Sequence, residues 1–467
     1  MNKKLGLPSV IAIGVGEIVA TSCLMSVGQG TSFIGLTFII SMAIACILNM
    51  LFALSASEMN GLMPNLTGGL PEYTLACMGR FVTILIMVGG YIFGSTIVGS
   101  VECAMFGNTI KTVFPNCPLS AGALSISMLI ILTVTNLCGI DLFSKIQNFV
   151  AYGLIISLVI LGFTGVFKLG TGIVVIQPAV VSSSFADIFP MCGMAVFCFI
   201  ASEYILPFTK DMKNPKRDVP LGMILSLAII FVMQSMLSIG FSNYVLWEDL
   251  GSSASPHIMY GTYLLGTLGT FWMGIVSLFA VISTANTLIA SLAGIVCAMS
   301  EIELLPKVFV KRNKKKVPYF GVLLIAAIML VINITGLTET EEITFIILVS
   351  SIFMLLAYIV VHINVIIMRI KQPKAERTFK VPGGIVLPCI GIVGIIAMIF
   401  QIDPDPSVRA SIYMVCGLVA LVIGIYAFIW IKIINREKLF KPMSVEEVYA
   451  LENQDSMEKA DYKEVFS

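Results

Sequence analysis

Charged residues are scarce in this sequence. Only 12% of its 467 residues are Asp, Glu, Lys or Arg, and 58% are hydrophobic. A soluble domain has about 25% charged residues, so the composition excludes an ordinary soluble protein and predicts an integral membrane protein with several spans. The formal net charge of +1 gives no reason to expect nucleic acid as a partner.

The residue patterns that enzymes use are also missing. The sequence has no GxxxxGK[ST] phosphate loop, so it predicts no ATP hydrolysis by that route. Its two histidines, His257 and His362, are far apart in the chain and make a poor metal site. The 11 cysteines lie mostly inside apolar stretches, which argues against a disulfide framework. We therefore expect no enzyme, no metal and no bound organic cofactor.

Long apolar runs dominate the chain. A membrane-spanning helix needs roughly 20 mostly apolar residues, and the sequence predicts an all-α integral membrane protein with twelve such helices. An even number of spans places both termini on the same side of the membrane. The predicted spans are 7–29, 33–57, 81–107, 119–139, 146–168, 188–209, 221–246, 270–298, 318–337, 343–369, 383–402 and 410–433.

The loop charges choose the side on which the termini lie. Cations are concentrated in the loops on the side of the termini, and that bias marks the cytoplasmic face. We therefore expect a multi-pass protein of the cell membrane with cytoplasmic N- and C-termini. The opposite side has only Lys111, Lys168 and Arg409, whereas the side of the termini has Lys3, Lys4, Arg80, Lys145, the clusters 210–217, 307–316 and 369–380, and the tail.

Three acids lie within predicted spans: Glu17, Glu102 and Glu203. A charged side chain near the bilayer centre costs about 2.5–3.5 kcal/mol on insertion scales, so a compensating role is expected. The alternative for each is a protonated or hydrogen-bonded structural acid. The sequence leaves that alternative open, above all for Glu102, which is placed towards the exterior end of its helix.

Two predicted spans look broken. The first contains GVGEIVATSC, a run of small and polar residues, and the sixth contains IASEY followed by Pro207. Broken helices at corresponding positions in two halves of a chain indicate a transporter's substrate site. Unwound backbone is tolerated at that depth where it is buried or lines a cavity. Ordinary small-residue helix packing is the alternative, and it is the interpretation we favour for Gly90 and Gly94 in the third span.

Several motifs together resemble the amino acid permeases of the amino acid/polyamine/organocation superfamily. Residues 197–220, FCFIASEYILPFTKDMKNPKRDVP, are similar to the family's sixth-helix signature, roughly FAFIGFE followed by KNPxRxxP. Residues 14–28, GVGEIVATSCLMSVG, match the first-helix pattern GIGAIIGTGIFVLTG without a gap. Three further motifs follow in the family's order: SEMNGLMPNLTGG, AMSEIELLP and TFKVPGGIVLP. The resemblance covers nearly the whole chain.

The resemblance implies a fold built from two inverted repeats of five helices, related by a pseudo-two-fold axis and followed by two extra helices. The expected division of the chain is 1–168 for the first repeat, 169–369 for the second and 370–433 for the last two helices. Residues 434–467 would form a cytoplasmic tail, in which Ser444 and Glu447 have the spacing of a capping box.

The resemblance also implies a substrate site. In the family, amide N–H groups at the first-helix break bind a substrate carboxylate, and carbonyls of the sixth-helix break bind its ammonium group. Phe197 occupies the aromatic position that covers bound substrate. By register, the carboxylate side is Ala20, Thr21 and Ser22, and the ammonium side is Phe197, Cys198 and Ile200.

The coupling ion is less clearly implied. Proton-coupled relatives have a lysine in the fifth helix, and that position is Leu154 here. Sodium-coupled relatives use carbonyls of the first break and hydroxyls of the eighth helix. The register also places Glu17 one turn before the carboxylate loop, where an acid would neutralise a cation, carry a proton or select an ammonium group. The candidate sodium ligands are Gly16, Val19, Ser283 and Thr284.

Taken with the resemblance, the sequence predicts a secondary transporter that moves an amino acid or related amine by alternating access. Glu17 and Glu203 favour neutral or cationic substrates over acidic ones. The alternative is a substrate-sensing receptor that has kept the fold and lost net transport. The expected partners are a small-molecule substrate and the lipid bilayer, whereas the substrate's identity, Na⁺ or H⁺ coupling and the oligomeric state are left open.

Overall fold

The computed structural model describes residues 4–63, 66, 68–177, 188–253, 255–335, 343–403 and 405–451. Within these ranges the chain is helical and forms no β-strand. An isolated bridge between Leu5 and Met212 joins the start of the chain to the end of the sixth predicted span. The prediction of an all-α protein is confirmed.

Seventeen α-helices of the described residues carry numbers below, in chain order. A π-helix at Met87–Gly94 joins α5 to α6, and a second at Ile429–Ile434 extends α17. Short 3₁₀ helices lie at Gly35–Thr37, Ser202–Asp211 and Lys307–Val310. The α-helices are α1 Leu7–Ile18, α2 Thr21–Ile34, α3 Phe38–Leu62, α4 Leu70–Met78, α5 Arg80–Ile86, α6 Ser95–Val113, α7 Ala121–Leu137, α8 Ile140–Val166, α9 Met191–Phe197, α10 Pro215–Tyr244, α11 Trp247–Ser252, α12 Pro256–Leu265, α13 Thr267–Glu301, α14 Tyr319–Ile334, α15 Ile343–Lys371, α16 Val386–Phe400 and α17 Pro406–Phe428.

The helices confirm a multi-pass membrane protein. Among the described residues, eight helical stretches are long and apolar enough to cross a bilayer, and α1, α7, α14 and α16 are shorter apolar helices. The count of twelve spans stays a prediction. Some predicted starts are too late: the seventh predicted span begins at 221, whereas α10 begins at Pro215. Proline suits the first turn of a helix because it needs no hydrogen-bond donor there.

Helix α1 lies at the centre of the molecule and packs against α8, α10 and α13. Small residues permit this close packing. A Cβ atom added to Gly16 would lie 2.0 Å from Ser283 Oγ on α13, and one added to Gly14 would lie 2.4 Å from Ser226 Oγ on α10. Close backbone approach of this kind is how membrane helices associate without a hydrophobic driving force. The first predicted span is therefore surrounded by protein.

The glycines of the third predicted span also pack closely. A Cβ atom added to Gly90 would lie 3.1 Å from the carbonyl oxygen of Phe353 on α15, and one added to Gly94 would lie 3.0 Å from Ser350 Oγ. The predicted small-residue packing at these two glycines is confirmed. The contact places α15 beside the broken helices described below.

A buried ion cluster joins α3 to α15 and to the loop that follows α15. Glu58 accepts a 2.9 Å hydrogen bond from Arg369 Nε and a 2.7 Å bond from the amide of Val381, and Arg377 Nε lies 3.1 Å from its Oε1. We call Glu58, Arg369 and Arg377 the Glu58 cluster. It brings together two of the motifs on which the family resemblance rests.

The chain after α17 returns to the bundle. The capping box is confirmed: Ser444 N donates to Glu447 Oε2 at 2.7 Å, and Glu447 N donates to Ser444 Oγ at 3.1 Å. A helix follows at 445–451. The rest of the predicted tail lies outside the described residues.

Candidate functional site

The first predicted break is confirmed. Helix α1 ends at Ile18, and α2 begins at Thr21 with Ala20 as its N-cap residue. Ala20 has an extended backbone, with φ −82° and ψ 160°. The two half-helices therefore meet inside the protein, the negative end of one helix dipole facing the positive end of the other.

The second predicted break is confirmed as well. Helix α9 ends at Phe197, and a 3₁₀ helix that contains Pro207 begins at Ser202. Ala201 between them has a left-handed backbone with φ 93°, a conformation that costs a residue other than glycine roughly 1–3 kcal/mol. The surrounding structure must therefore stabilise this break.

Side chains of neighbouring helices hold the second break. Tyr358 of α15 accepts a 2.9 Å hydrogen bond from the amide of Ala201 through its hydroxyl, which donates a 2.8 Å bond to Glu203 Oε2. Gln234 of α10 donates a 3.2 Å bond to the carbonyl of Cys198. These bonds satisfy backbone groups that the unwound segment leaves without helical partners.

A small cavity of about 40 Å³ lies between the two breaks. By volume it has room for only a few water molecules. Residues of both broken helices line it, as expected of a transporter site, together with residues of α6, α13 and α15. Its lining consists of Glu17, Ile18, Ala20, Cys23, Ser95, Val98, Phe197, Ile200, Ala201, Tyr204, Thr284, Leu288, Ser350, Ser351 and Met354.

The structure brings only some of the predicted substrate residues to this cavity. Ala20, Phe197 and Ile200 line it, as does Glu17. Cys198 is buried with its carbonyl bonded to Gln234. Thr21 and Ser22 are not part of the lining, and their amide groups already have partners. The substrate roles of all six residues stay predictions.

The partner of those amides is Glu102. The amide of Thr21 donates to Glu102 Oε2 at 2.9 Å, and the amide of Ser22 donates to Oε1 at 3.1 Å. The Ser22 hydroxyl makes a third, short bond to the same oxygen. Glu102 is fully buried on α6. Its carboxylate thus occupies the N-terminus of α2, the favoured place for an anion at a helix end.

Glu17 and Glu203 are less well satisfied. Glu17 is only 4% exposed and lies in the last turn of α1, and its Oε2 has no hydrogen-bond partner. Glu203 is 2% exposed, and its Oε1 likewise lacks a partner. Among the described residues that line the cavity, none is Lys, Arg or His. The oxygen of Glu17 that lacks a partner belongs to a residue of the cavity lining and is suited to receive a cation.

The candidate sodium ligands are close together and hydrogen-bonded. Thr284 Oγ1 donates to the carbonyls of Gly16 at 3.1 Å and Glu17 at 3.3 Å. Ser283 Oγ accepts a 2.7 Å bond from Gln147 Nε2 of α8. Val19, the fourth candidate, lies in the break itself. A sodium role for these groups stays a prediction.

The predicted site of the missing lysine is apolar. Leu154 is fully buried on α8. Two turns earlier on the same helix, Gln147 bonds to Ser283 and accepts a 3.3 Å bond from Asn286, which in turn accepts a 2.9 Å bond from Asn136. A neutral amide network therefore lies beside the first break.

Reasoning from the sequence did not assign a role to Gln147, Gln234 or Tyr358. The first two carry a detectable signal, because an amide side chain inside an apolar span needs a buried partner. Tyr358 has a weaker signal, since tyrosine is common in membrane helices near the interface. The partner of Glu102 was not detectable, because the two helices lie about 80 residues apart in the chain.

Two other cavities flank the central one. Phe197 also lines a second small cavity, of about 40 Å³, beside Met25, Gln29 and Asp403. A third cavity of about 350 Å³ shares no lining residue with the central cavity. Its charged residues are Lys210, Asp211, Glu301, Arg312, Lys315 and Lys316.

Known proteins resemble this chain over most of its length. The model of the family described as "Amino acid permease" matches residues 5–429. The branched-chain amino acid permease BcaP of Bacillus subtilis (strain 168) is 22% identical over 438 residues, 90% of this chain and 92% of the relative. The BcaP of Lactococcus lactis subsp. cremoris (strain MG1363) is 24% identical over 457 residues, 89% of this chain and 93% of the relative.

A solved transporter has a similar fold. It is Mhp1, a nucleobase-cation-symport-1 family transporter, in a closed conformation with bromovinylhydantoin bound. The TM-score is 0.56 at 14% identity, and the match covers 97% of this chain and 96% of Mhp1. At this identity the likeness concerns the fold alone. Because the family model covers nearly the whole chain, both broken helices included, this chain belongs to the amino acid permease family.

Proposed function

We propose that this protein is a secondary transporter that carries an amino acid or a related amine across the cell membrane by alternating access. The observation that carries the proposal is the cavity between two broken helices, lined by Ala20 on one side and by Phe197 and Ile200 on the other. Its place in a permease family supports the same function. Transporters of this kind bind substrate where discontinuous helices meet near the bilayer midplane.

The arrangement of cavities supports alternating access. Phe197 lines both the central cavity and the one beside Asp403, which lies on the side expected to face outwards. The cavity with Lys210 and Arg312 lies on the side expected to face the cytoplasm. In our proposal the two repeats, 1–168 and 169–369, rock against each other so that substrate reaches one side at a time.

Several observations support neutral or cationic substrates. Glu17 lines the cavity, and Glu203 precedes the lining residue Tyr204 in the chain. An acidic substrate would bring a second negative charge close to these carboxyl groups. Two relatives are named for branched-chain amino acids, and the apolar part of the lining suits a small aliphatic side chain.

The coupling ion is either sodium or a proton, and both would bind in the same place. Sodium would use the Gly16 carbonyl and the Ser283 and Thr284 hydroxyls, which already lie within hydrogen-bonding distance of one another or of Gln147. A proton would instead be carried by Glu17. Either ion would bind beside the first break, where the carbonyl end of α1 is negative.

The experiment that tests the proposal is uptake into proteoliposomes. Purified protein should accumulate or exchange radiolabelled amines or amino acids, and imposed sodium and proton gradients then identify the coupling ion. A substrate-sensing receptor, the alternative function, would bind ligand without flux. If the protein binds ligand but flux is equal in vesicles with and without protein, the transport proposal is wrong and the protein is a sensor.

A matched pair of variants controls for non-specific leakage. Ile200→Trp adds bulk to the central cavity and should abolish flux. Ile130→Trp makes the same substitution on the outer surface of α7, where Ile130 is 54% exposed, and should leave flux unchanged. Equal flux from the two variants would show that the cavity is not on the transport path.

A further inference from the structure

The positive end of α2 is already neutralised by the chain itself. Glu102 receives hydrogen bonds from the amides of Thr21 and Ser22 and from the Ser22 hydroxyl. The two amides are among the groups that the family resemblance assigns to a substrate carboxylate, which are the amides of Ala20, Thr21 and Ser22. Three donors satisfy the two oxygens of Glu102 in the way that they would satisfy a bound anion. The Ala20 amide also has a partner, the carbonyl of Ile18 at 2.9 Å, so none of the three predicted amides is free to bind a substrate carboxylate.

On the α1 side of the first break the electrostatic potential is negative. Glu17 lies in the last turn of α1, where the helix carbonyls already give a negative potential, and its Oε2 has no hydrogen-bond partner. An unpaired carboxyl group is unfavourable in this position unless a cation lies next to it. Since Glu17 lines the cavity, the ligand is the group that would supply that positive charge.

The rest of the lining fits an organic cation. Its lining residues include the aromatic Phe197 and Tyr204 and the apolar Ile18, Leu288 and Met354. Ammonium groups bind well against aromatic faces, whereas a sodium ion requires a shell of oxygen ligands. The cavity thus offers an acid for the charged end of an amine and an apolar wall for its body.

We propose that the preferred substrate is an organic amine that has an ammonium group and lacks a carboxylate. Glu102 takes the place of the missing carboxylate, and Glu17 receives the ammonium group. This inference rests on the proposed function and narrows it from amino acids and amines to amines. It also predicts that an amino acid binds weakly, because it would have to displace Glu102 or leave its own carboxylate unpaired beside Glu17.

The test compares amino acids with their decarboxylated counterparts on the purified protein. Isothermal titration in sodium-free potassium buffer would be carried out with three pairs: leucine and isopentylamine, lysine and cadaverine, phenylalanine and phenethylamine. We expect at least one amine to bind about tenfold or more tightly than its amino acid, since a buried charge left without its hydrogen bonds costs a factor of roughly 10 to 100. Equal binding, a preference for the amino acids, or no binding by any amine overturns the inference.

Two variants test the role of Glu102. Glu102→Ala frees the amides of Thr21 and Ser22, so the amino acid of the best pair should gain about tenfold in affinity relative to its amine. Val101→Ala, at a buried neighbouring position on α6, also removes buried side-chain atoms but leaves the amides bonded to Glu102, so it should keep the wild-type ranking. An unchanged ranking in a folded Glu102→Ala protein contradicts the role of Glu102. The wild-type comparison decides the substrate class even where this variant fails to fold.

The inference and the proposed function fail in different ways. Binding is measured without flux, so a protein that prefers amines and transports none would keep the substrate class and lose the transport function. A protein that takes up amino acids better than amines would keep transport and lose the inference. Sodium-dependent tightening of amino acid binding would also contradict the inference, because it would make sodium the cation beside Glu17.

Discussion

Two buried acids in this protein have nearly the same exposure and very different partners. Glu58 is 1% exposed and is held by Arg369, Arg377 and the amide of Val381. Glu17 is 4% exposed, lines the central cavity and has an oxygen without a partner. The Glu58 cluster is complete within the chain, and the acid at the first break is not.

The difference separates a structural acid from one that serves a ligand. Burial of a charge is tolerated when a counter-charge and hydrogen bonds accompany it, so Glu58 contributes to the folded state as part of a pair. An acid placed in a membrane protein without such a pair indicates a functional site. Glu102 is intermediate, because the end of α2 acts as its counter-charge. Removing a partner of Glu58 should therefore change stability, whereas removing the charge of Glu17 should change ligand affinity.

The largest effect is expected from breaking the Glu58 cluster. Arg369→Gln removes the cation that donates to both oxygens of Glu58. Breaking a buried ion pair typically costs about 3–5 kcal/mol. Because Arg377 still faces Glu58 in this variant, the free energy of unfolding should fall by about 3 kcal/mol, the lower end of that range. Chemical denaturation in detergent would measure the change, and the amine preference of the folded fraction should stay as in the wild type.

Lys371→Gln is the matched control for that substitution. Lys371 lies at the end of the same helix and is exposed, so its loss should change stability by less than about 0.5 kcal/mol. Arg369→Gln and Lys371→Gln proteins of equal stability would mean that the Glu58 cluster is not what holds α3 to α15.

The second prediction concerns ligand binding. Glu17→Gln keeps the shape of the side chain and removes its charge, so it should weaken amine binding by about tenfold or more, a difference of roughly 1.4 kcal/mol. Stability should not fall, because no hydrogen bond to Oε2 is lost. Titration calorimetry and thermal unfolding in the absence of ligand measure the two effects separately.

Glu58→Gln provides the contrast for that result. It removes an acid of equal burial and should lower stability while leaving the affinity of the folded protein unchanged. If Glu17→Gln instead destabilised the protein and left both affinity and the pH dependence of uptake unchanged, Glu17 would be a structural acid.

Much of the architecture was predictable from local sequence. The small and polar residues around Gly16, and the segment IASEY followed by Pro207, predicted where two helices break, and the structure confirms both breaks. These features act within a few residues of themselves, through backbone freedom and a missing donor. The apolar runs predicted the helices for the same reason, with errors at polar starts such as Pro215.

The partners of the acids were not predictable in the same way. Glu102 reaches α2 from α6, and Tyr358 reaches Glu203 from α15, 155 residues away. Such contacts depend on how helices pack, and no local pattern specifies them. The family resemblance supplied the register of the first break, yet it assigned the amides of Thr21 and Ser22 to a substrate and did not foresee that Glu102 occupies them.

The smallest predicted effect compares the two breaks through one substitution. Ala201 has φ 93°, and Ala20 has φ −82°. Ala201→Gly should relieve a backbone strain of roughly 1–3 kcal/mol. Glycine also makes the unfolded chain more flexible, which lowers stability by about 0.5–1 kcal/mol. The net gain in stability is roughly 1 kcal/mol. Ala20→Gly has no strain to relieve. Ala201→Gly should therefore be the more stable of the two in thermal unfolding.

The bonds around Ala201 make this comparison specific. Its amide donates to the Tyr358 hydroxyl, and glycine keeps that amide, so the substitution changes the backbone preference and leaves the bond in place. The double variant Ala201→Gly with Tyr358→Phe should be more stable than Tyr358→Phe alone, by the same amount that glycine adds to the wild type. If Ala201→Gly were less stable than Ala20→Gly, the left-handed residue would not be the strained point of the second break.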